Sequence, residues 1–216
     1  STSLLNGGCR EDIKGLFNYT CCGPGSCMSL EKYEEHLGKC AAVVGLDPAR
    51  STGIGTAALM ENAAIVEETY EELKVAACVT AGVEGNAGCA GDPAGYYGAG
   101  ARPEMYKLGT INILLFINAD MPPGILTRAL VTCTEGKTAA LRELMVGSRY
   151  SENPATGTGT DSTIIVCDPK SPLYFRSAGK HNKLGELIGK TVKEAVKKAL
   201  GNQNHLYPST QHSVTE

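Results

Sequence analysis

Two apolar segments on either side of an amphipathic stretch constrain the fold of this 216-residue chain most strongly. The first, INILLFI at residues 111–117, does not alternate apolar with polar residues, which is typical of a central strand buried on both faces. The second, STIIVCD at residues 162–168, predicts another buried strand. Between them, Pro122 and Pro123 begin a predicted helix that reaches about Met145. This order predicts an α/β or α+β fold with a mixed β-sheet covered by helices.

The remaining segments extend this pattern on both sides. Residues 74–83 predict a buried strand, whereas the preceding residues 64–73 contain enough Glu to favour a helix as well. A last helix is predicted over residues 182–200 from its stripe of apolar side chains. The polar residues 201–216 are predicted to be a disordered tail.

The cysteine-rich N-terminal part, residues 1–46, is expected to be irregular apart from one helix. That helix is predicted over residues 29–40, with Ser29 as its N-cap and acidic residues near its start. An Asp-Pro pair at residues 47–48 favours a second, short helix. The length of the chain then predicts a single domain over residues 1–200.

Charge and hydropathy argue against two classes of partner. The 20 basic and 23 acidic residues give a net charge of −3, and the absence of a basic run argues against nucleic acid. No apolar run approaches the ~20 residues that span a bilayer, so a membrane protein is not expected. No secretion signal is recognised and the nine cysteines are odd in number, which favours free thiols in the cytoplasm. A homo-oligomer is compatible with these features.

Vicinal Cys21 and Cys22, followed by Cys27, are the strongest candidates for metal ligands. Their spacing matches no zinc or iron–sulfur pattern, so plain thiols are the favoured interpretation. A metal or cluster at these three residues stays open, and no cofactor is expected to be required.

The segment ATGTGTDS, residues 155–162, alternates glycines with hydroxyl residues and contains one carboxylate. Glycines allow backbone amides to approach a ligand, and successive amides can form an anion-binding nest. No Lys follows as in a Walker motif, and the order of strand and helix differs from a dinucleotide fingerprint. The alternative is a tight turn whose Thr side chains bond their own backbone. The candidate residues here are Thr156, Thr158, Thr160, Asp161 and Ser162.

Further candidates lie in loops and at element ends. The long Gly/Ala-rich loop of residues 84–108 has the length of a functional loop. In the segment TEGKTAA, Glu135, Lys137 and Thr138 interrupt an apolar helix, and an exposed helix face is the alternative interpretation. His181, just before the last helix, is a candidate acid or base. The other candidates are Thr80, Asn86, Asp92, Thr110 and Asn112.

Three motifs, in this order and with characteristic gaps, resemble the adenosylcobinamide amidohydrolase (CbiZ) family. They are VTAGVEGNAGCAGDPA, the long segment GTINILLFINADMPPGILTRALVTCTEGKTAALRELMVGSRYSENPATGTGTDS, and GKHNKLGELIG. The resemblance covers residues 75–200 well and residues 1–74 loosely, and the N-terminal cysteines are not part of it. It implies a corrinoid-salvage enzyme that hydrolyses the amide between the aminopropanol arm and the corrin ring, releasing adenosylcobyric acid.

A fainter likeness links the chain to the β-peptidyl aminopeptidase and ornithine acetyltransferase group. The segments GIGTA, GTINILLFINADMP and GTGTDSTIIV occur here in the same order. This likeness implies a layered arrangement of sheets, with Thr110 as nucleophile and Asn86 as oxyanion donor, while Thr160 and Asp161 polarise or position the nucleophile. Those relatives cleave themselves before the nucleophile to free an amine that acts as base. In a continuous chain, Asp161 or His181 would have to be the base.

The resemblances also imply roles for the other polar residues. Asp161 or Asp92 would activate water, and His181 would protonate the departing amine, in a mechanism without a metal. Tyr96 and Tyr97 would close over the flat corrin ring, unless they are plain surface residues. A corrinoid-binding module without turnover and a small-amide amidase or acyltransferase with a Thr nucleophile are the alternatives. The expected substrate-binding residues are Thr80, Asp92, Asn112, Glu135, Thr156, Thr158 and Ser162.

Overall fold

A computed structural model describes residues 1–21, 30–95, 97 and 108–208. Two 3₁₀ turns, Pro48–Arg50 and Met60–Asn62, accompany the regular elements. These elements are, in chain order, β1 (Gly15–Thr20), α1 (Leu30–Val43), β2 (Ser51–Thr56), β3 (Ala64–Tyr70), β4 (Leu73–Ala81), β5 (Ala87–Gly88), β6 (Ile111–Ile117), α2 (Pro123–Glu143), β7 (Gly157–Thr158), β8 (Ser162–Cys167) and α3 (Lys183–Asn204).

The central sheet has four strands in the order β3-β4-β6-β8. The β3–β4 and β4–β6 pairs are antiparallel, whereas β6 and β8 are parallel. Parallel neighbours need a crossover connection, and α2 supplies it between β6 and β8. The predicted mixed sheet with helices is thus confirmed, including the buried strand β6 and the helix α2. The prediction of a second buried strand is wrong in its burial, because β8 lies at the edge of the sheet and only Ile164 in it is buried.

The two long helices cover one face of this sheet. On that face, β6 presents Ile111, Ile113, Leu115 and Ile117 to the main hydrophobic core, and all four are almost fully buried. The predicted apolar stripe of α3 packs against the same core. α3 extends four residues beyond its predicted end because Gly201 is buried and Asn204 Oδ1 accepts a hydrogen bond from Val83 N. The predicted tail therefore begins too early, and residues 209–216 lie outside the described residues.

The opposite face of the sheet carries a second layer. β1 and β2 form a parallel pair, and α1 is the crossover that connects them. Ile54 of β2 packs with Leu114 and Ile164 of the central sheet in a second apolar cluster. Leu37 and Ala41 of α1 are fully buried and close this layer from outside. The prediction of an irregular N-terminal part is therefore wrong over β1, because pairing with β2 makes it a strand.

The structure also decides the short ambiguous segments. Residues 64–81, part of which fitted either a helix or a strand by sequence, form the β3–β4 hairpin, with Glu71 at φ +52° in its turn. α1 begins at Leu30 and ends at Val43, three residues later than predicted. Its proposed N-cap Ser29 lies outside the described residues. The predicted second helix is a single 3₁₀ turn in which Asp47 Oδ1 accepts a hydrogen bond from Ala49 N.

No helix within the described residues is both long enough and apolar enough to cross a membrane.

Candidate active site

Sheet topology brings three separate segments together at one end of the central sheet. β6 and β8 run parallel, so the residues that precede them, Thr110 and Asp161, lie at the same end. β4 runs in the opposite direction, so the loop after Ala81, which contains Asn86, begins at that end as well. We call this the site end of the sheet. The short β5–β7 pair, in which Gly88 lies opposite Gly157, joins the Asn86 loop to the Gly–Thr loop.

Two side chains converge on the backbone carbonyl that precedes Thr110. Gly109 O accepts hydrogen bonds from Asn86 Nδ2 at 3.1 Å and from Thr160 Oγ1 at 3.0 Å. Thr110 Oγ1 donates to the backbone oxygen of Thr160 at 2.9 Å. Thr110 is 5% exposed and Asn86 is 7% exposed, so these bonds are largely shielded from water. The structure thus groups three of the predicted catalytic residues around the peptide bond between Gly109 and Thr110.

Asp161 holds this group in place through both carboxylate oxygens. Its Oδ1 accepts from Ile111 N at 2.9 Å and from Thr158 Oγ1 at 2.5 Å. Its Oδ2 accepts from Thr158 N at 3.0 Å and from Lys137 Nζ. A carboxylate offers about four lone-pair sites, and these four donors occupy them. The contacts therefore fit a positioning role for Asp161, and they leave no lone pair with which it could activate water.

Lys137 is a site residue that the sequence interpretation left undecided. It is 9% exposed and forms a salt bridge with Asp161, so the alternative of an exposed helix face is wrong for this residue. Cys133 and Leu141, one turn before and after it, are fully buried. Lys137 lies on the same face of the helix as these apolar residues, and this position in the sequence could have identified it as buried.

Tyr150 is a second residue that sequence reasoning missed. Its hydroxyl donates to Asn86 Oδ1 at 3.1 Å, while Asn86 Nδ2 donates to Gly109 O. Gly109 O can only accept, so Nδ2 is the end of the Asn86 amide that faces it, and Oδ1 accepts from the Tyr150 hydroxyl. Tyr150 lies in the GSRYSENPATG part of the long motif, but a tyrosine in a turn carries no spacing signal of its own.

A buried polar chain links the two sheet layers close to Thr110. Asn112 Nδ2 donates to Asn18 Oδ1 at 2.9 Å and to Gly55 O at 2.8 Å. Asn18 Nδ2 in turn donates to Thr80 Oγ1 at 2.8 Å. Because Gly55 O can only accept, the orientation of the Asn112 amide is fixed, and its Oδ1 is a buried acceptor without a partner among the described residues. Asn18 was missed because no strand was predicted at β1.

A comparison with protein-family models shows to which family the chain belongs. The model described as "CbiZ: Adenosylcobinamide amidohydrolase" matches residues 1–208. The chain belongs to this family. The chain is also 33% identical over 188 residues to the uncharacterized protein MJ1613 of Methanocaldococcus jannaschii, an alignment that covers 82% of this chain and 73% of that protein. The predicted family is therefore confirmed, and membership indicates an amidohydrolase.

Two predicted substrate-binding residues of this CbiZ-family chain organise the loops beside the site. Asp92 Oδ2 accepts from Cys89 N at 2.8 Å and from Ser148 Oγ at 2.6 Å. The Ser148 hydroxyl, as the largest influence, lowers the pKa of the Asp92 carboxyl. Thr156 Oγ1 accepts from Ala90 N at 2.8 Å. These bonds tie the loop after β5 to the Gly–Thr loop, so both residues shape the site in this structure.

His181 lies at the other end of the central sheet. α3 begins there, since Lys183 Nζ in its first turn is 4.4 Å from the ring centroid of Tyr70, the last residue of β3 before the turn of the β3–β4 hairpin. The turn of that hairpin lies beside Ile117 at the end of β6, whereas Thr110 precedes the start of β6. The structure therefore does not bring His181 to Thr110, and it gives no support to His181 as acid or base there.

The last predicted residues have surface or edge positions. Glu135 is exposed and pairs with Lys180 at 3.3 Å. Ser162 begins β8 opposite Asn112 and is half-buried. Tyr97 is 93% exposed, which matches the alternative of a surface residue, and Tyr96 lies outside the described residues.

The described part of the chain contains no group of three or more His, Cys, Asp or Glu side chains that could hold a metal ion. Cys21 is a free thiol, as are the other cysteines within the described ranges. Cys22 and Cys27 lie outside those ranges. The structure therefore provides no contact that would support a metal site at Cys21.

Proposed function

We propose that this chain hydrolyses the amide that joins the aminopropanol arm of adenosylcobinamide to the corrin ring, releasing adenosylcobyric acid and the amino alcohol. The family match over residues 1–208 supports an amidohydrolase. The single observation that carries the assignment of the site is the convergence of Asn86 and Thr160 on the carbonyl next to the Thr110 hydroxyl. Two donors aimed at one carbonyl oxygen beside a hydroxyl form the basic arrangement for acyl transfer.

Amide hydrolysis needs a nucleophile, donors for the oxyanion and a proton for the leaving amine. In this proposal Thr110 Oγ1 attacks the substrate carbonyl carbon, and Asn86 Nδ2 and Thr160 Oγ1 stabilise the negative charge that develops on the carbonyl oxygen. The Thr110 proton passes through water to the amine nitrogen as the C–N bond breaks, which leaves an ester on Thr110. Water then hydrolyses this ester, releasing adenosylcobyric acid and restoring the Thr110 hydroxyl. The reacting hydroxyl and the two donors are positioned by Tyr150, which bonds Asn86, by Asp161, which bonds Ile111 N, and by the buried Asn112.

The substrate arm would lie along the site end of the sheet. In this proposal the half-buried Thr158 and the hydroxyls beside it in the Gly–Thr loop form hydrogen bonds with the polar groups of this arm. The flat corrin ring would stay outside the sheet layers, since the described residues around Thr110 are closely packed. We assign no resident metal to this reaction, because Thr160 and Asn86 offer a hydroxyl and an amide, which are weak ligands for transition metals, and the Asp161 carboxylate already accepts four hydrogen bonds.

One observation favours a second candidate, an amidase or acyltransferase whose Thr nucleophile is freed by self-cleavage. In the continuous chain both side-chain donors already serve Gly109 O, so a substrate carbonyl would have to displace it. Attack of Thr110 Oγ1 on the Gly109 carbonyl carbon would break the C–N bond and form an ester. Water would then hydrolyse that ester, leaving a Gly109 carboxylate and a free Thr110 amine that acts as base.

Intact-mass spectrometry of the purified protein separates these two routes. A single mass for residues 1–216 means that Thr110 acts within a continuous chain. Two masses that correspond to residues 1–109 and 110–216 mean that self-cleavage precedes activity.

Incubation with adenosylcobinamide, followed by chromatography and mass spectrometry of the corrinoid, tests the proposed reaction. We expect adenosylcobyric acid to form, and Thr110→Ala to reduce the rate at least ~100-fold because it removes the nucleophile. Thr134→Ala is the matched control, because its hydroxyl only donates to Leu130 O on the exposed side of α2. Unchanged substrate that co-elutes with the protein would instead indicate a corrinoid-binding module without turnover. Equal rates in both variants would remove Thr110 from the mechanism.

A further inference from the structure

The buried Lys137–Asp161 pair lies directly beneath the Gly–Thr loop. The Lys137 and Asp161 side chains are 11% and 14% exposed. Gly157 covers the pair so closely that a Cβ there would lie 2.5 Å from Asp161 Oδ2 and 2.6 Å from Lys137 Nζ. No side chain larger than hydrogen can therefore occupy position 157 without displacing the ion pair.

A short series of contacts leads from Lys137 to Thr110. Lys137 Nζ bonds Asp161 Oδ2, and Asp161 Oδ1 accepts from the backbone N–H of Ile111, the residue after Thr110. Asp161 also accepts from both the backbone and the hydroxyl of Thr158. Thr158 Oγ1 accepts from Thr160 N, and Thr160 contacts Gly109 O and the Thr110 hydroxyl. The ammonium is therefore two hydrogen bonds from the backbone N–H of Ile111, and four from both Gly109 O and the Thr110 hydroxyl.

Stability alone is a poor reason to bury such a pair. Removing two charges from water is costly, and apolar residues of similar volume often replace a buried ion pair without loss. Lys137 stands among buried apolar neighbours on α2, so an apolar residue would suit the packing there. The Lys137 ammonium instead contacts the Asp161 carboxylate, which accepts a hydrogen bond from Ile111 N at the start of β6.

We propose that Lys137 is a positioning residue, whose ammonium fixes Asp161 and thereby the placement of the Thr110 hydroxyl relative to the Asn86 and Thr160 donors. This inference rests on the proposed function for its effect on rate. The positional link itself is a property of the folded chain and can be measured without substrate.

The test compares Lys137→Met with Lys197→Met. Lys197 is the matched control because its side chain is 17% exposed and also pairs with a carboxylate across α2 and α3, that of Glu143, away from Thr110. We expect Lys137→Met to lower kcat at least ~10-fold with less than a ~3-fold change in KM, since a small misplacement of a reacting group costs about 100-fold. We expect Lys197→Met to stay within ~2-fold of wild type. Recovery of kcat by added ethylamine in Lys137→Ala, with no change in Tm, would support positioning by the missing ammonium.

Amide hydrogen exchange read at Ile111 and Thr158 provides the measurement without substrate. We expect both amides to exchange at least ~10-fold faster in Lys137→Met and to remain protected in Lys197→Met. Unchanged exchange, or equal losses of kcat in both variants, would overturn the inference. A wild-type protein that leaves adenosylcobinamide intact would instead overturn the proposed function, while the exchange data would still decide the link between Lys137 and Thr110.

Discussion

At the residue scale, the backbone of Gly109 determines where the site can form. Its φ is +131°, a conformation that side chains rarely adopt. A Cβ at this position would also lie 3.1 Å from Gly82 O and 3.3 Å from Asn86 Cβ. This conformation directs the Gly109 carbonyl towards both Asn86 Nδ2 and Thr160 Oγ1. The backbone conformation of this single glycine thus determines whether its carbonyl can accept from both donors.

Gly109→Ala should therefore lower both stability and rate. Strain at φ +131° and the close contact with Asn86 should reduce the free energy of unfolding by about 1–3 kcal/mol, as urea denaturation would measure. Gly91→Ala is the control, because Gly91 has φ +99° but nothing within 4 Å of an added Cβ. We expect both variants to lose stability. Only Gly109→Ala should have a lower rate per folded molecule than wild type. Equal activity in the two variants would mean that the Gly109 carbonyl does not need this placement.

At the element scale, the sequence predicted the elements whose side-chain pattern decides their type. β6, β8, α2 and α3 each present a long apolar face, so local pattern and tertiary burial agree. β1 was missed because GLFNYT neither alternates apolar with polar residues strictly nor forms a continuous apolar run, and only pairing with β2 makes it a strand. Thr110, Thr160 and Lys137 were candidates from the sequence, although the burial of Lys137 was left undecided, whereas Tyr150 was identified only when distant segments met. Pairing between segments far apart in the sequence is information that local patterns do not contain.

The contact between α2 and α3 offers a test of electrostatics between elements. Glu143 of α2 pairs with Lys193 at 2.7 Å and with Lys197 at 3.0 Å. The hydrogen bond from Lys193 is the main influence that lowers the pKa of Glu143 in the folded state. A lowered pKa adds stability above the ordinary pKa of Glu, and this stability is lost as pH falls through the folded-state value.

Glu143→Gln should thus cost about 1 kcal/mol or less at pH 7, because these side chains are partly exposed and screened by water. The difference from wild type should shrink as the pH falls below the ordinary pKa of Glu and should vanish below the lowered folded-state pKa. Urea denaturation between pH 3 and pH 7 would measure this difference in the free energy of unfolding. Repeating the measurement at moderate salt is a second test, because screening should also reduce the difference. A difference that persists unchanged at low pH would show that packing, and not charge, explains the loss.

At the scale of the whole molecule, the candidate site lies where two sheet layers are joined by polar contacts. Most of the interface is apolar, as in the contact between Ile54 and Leu114. Near the site end, Asn112 replaces this apolar contact with hydrogen bonds to Asn18 Oδ1 and Gly55 O. Directional bonds fix the relative placement of the layers more narrowly than apolar contacts do. The outer layer therefore contributes to the position of Thr110, two residues before Asn112, without contacting it.

Asn112→Asp tests this coupling with almost no change of shape. The substitution replaces the donor Nδ2 with a carboxylate oxygen that faces two acceptors, and it buries a charge, so it should lower the free energy of unfolding by at least about 3 kcal/mol. Asn118→Asp, at the far end of β6, is the matched control. It keeps the oxygen that accepts from Lys74 N and loses only the bond to Glu72 O in an exposed position, so its cost should stay near 1 kcal/mol. Urea denaturation followed by circular dichroism would compare them, and equal losses would mean that apolar packing alone sets the spacing of the layers at the site.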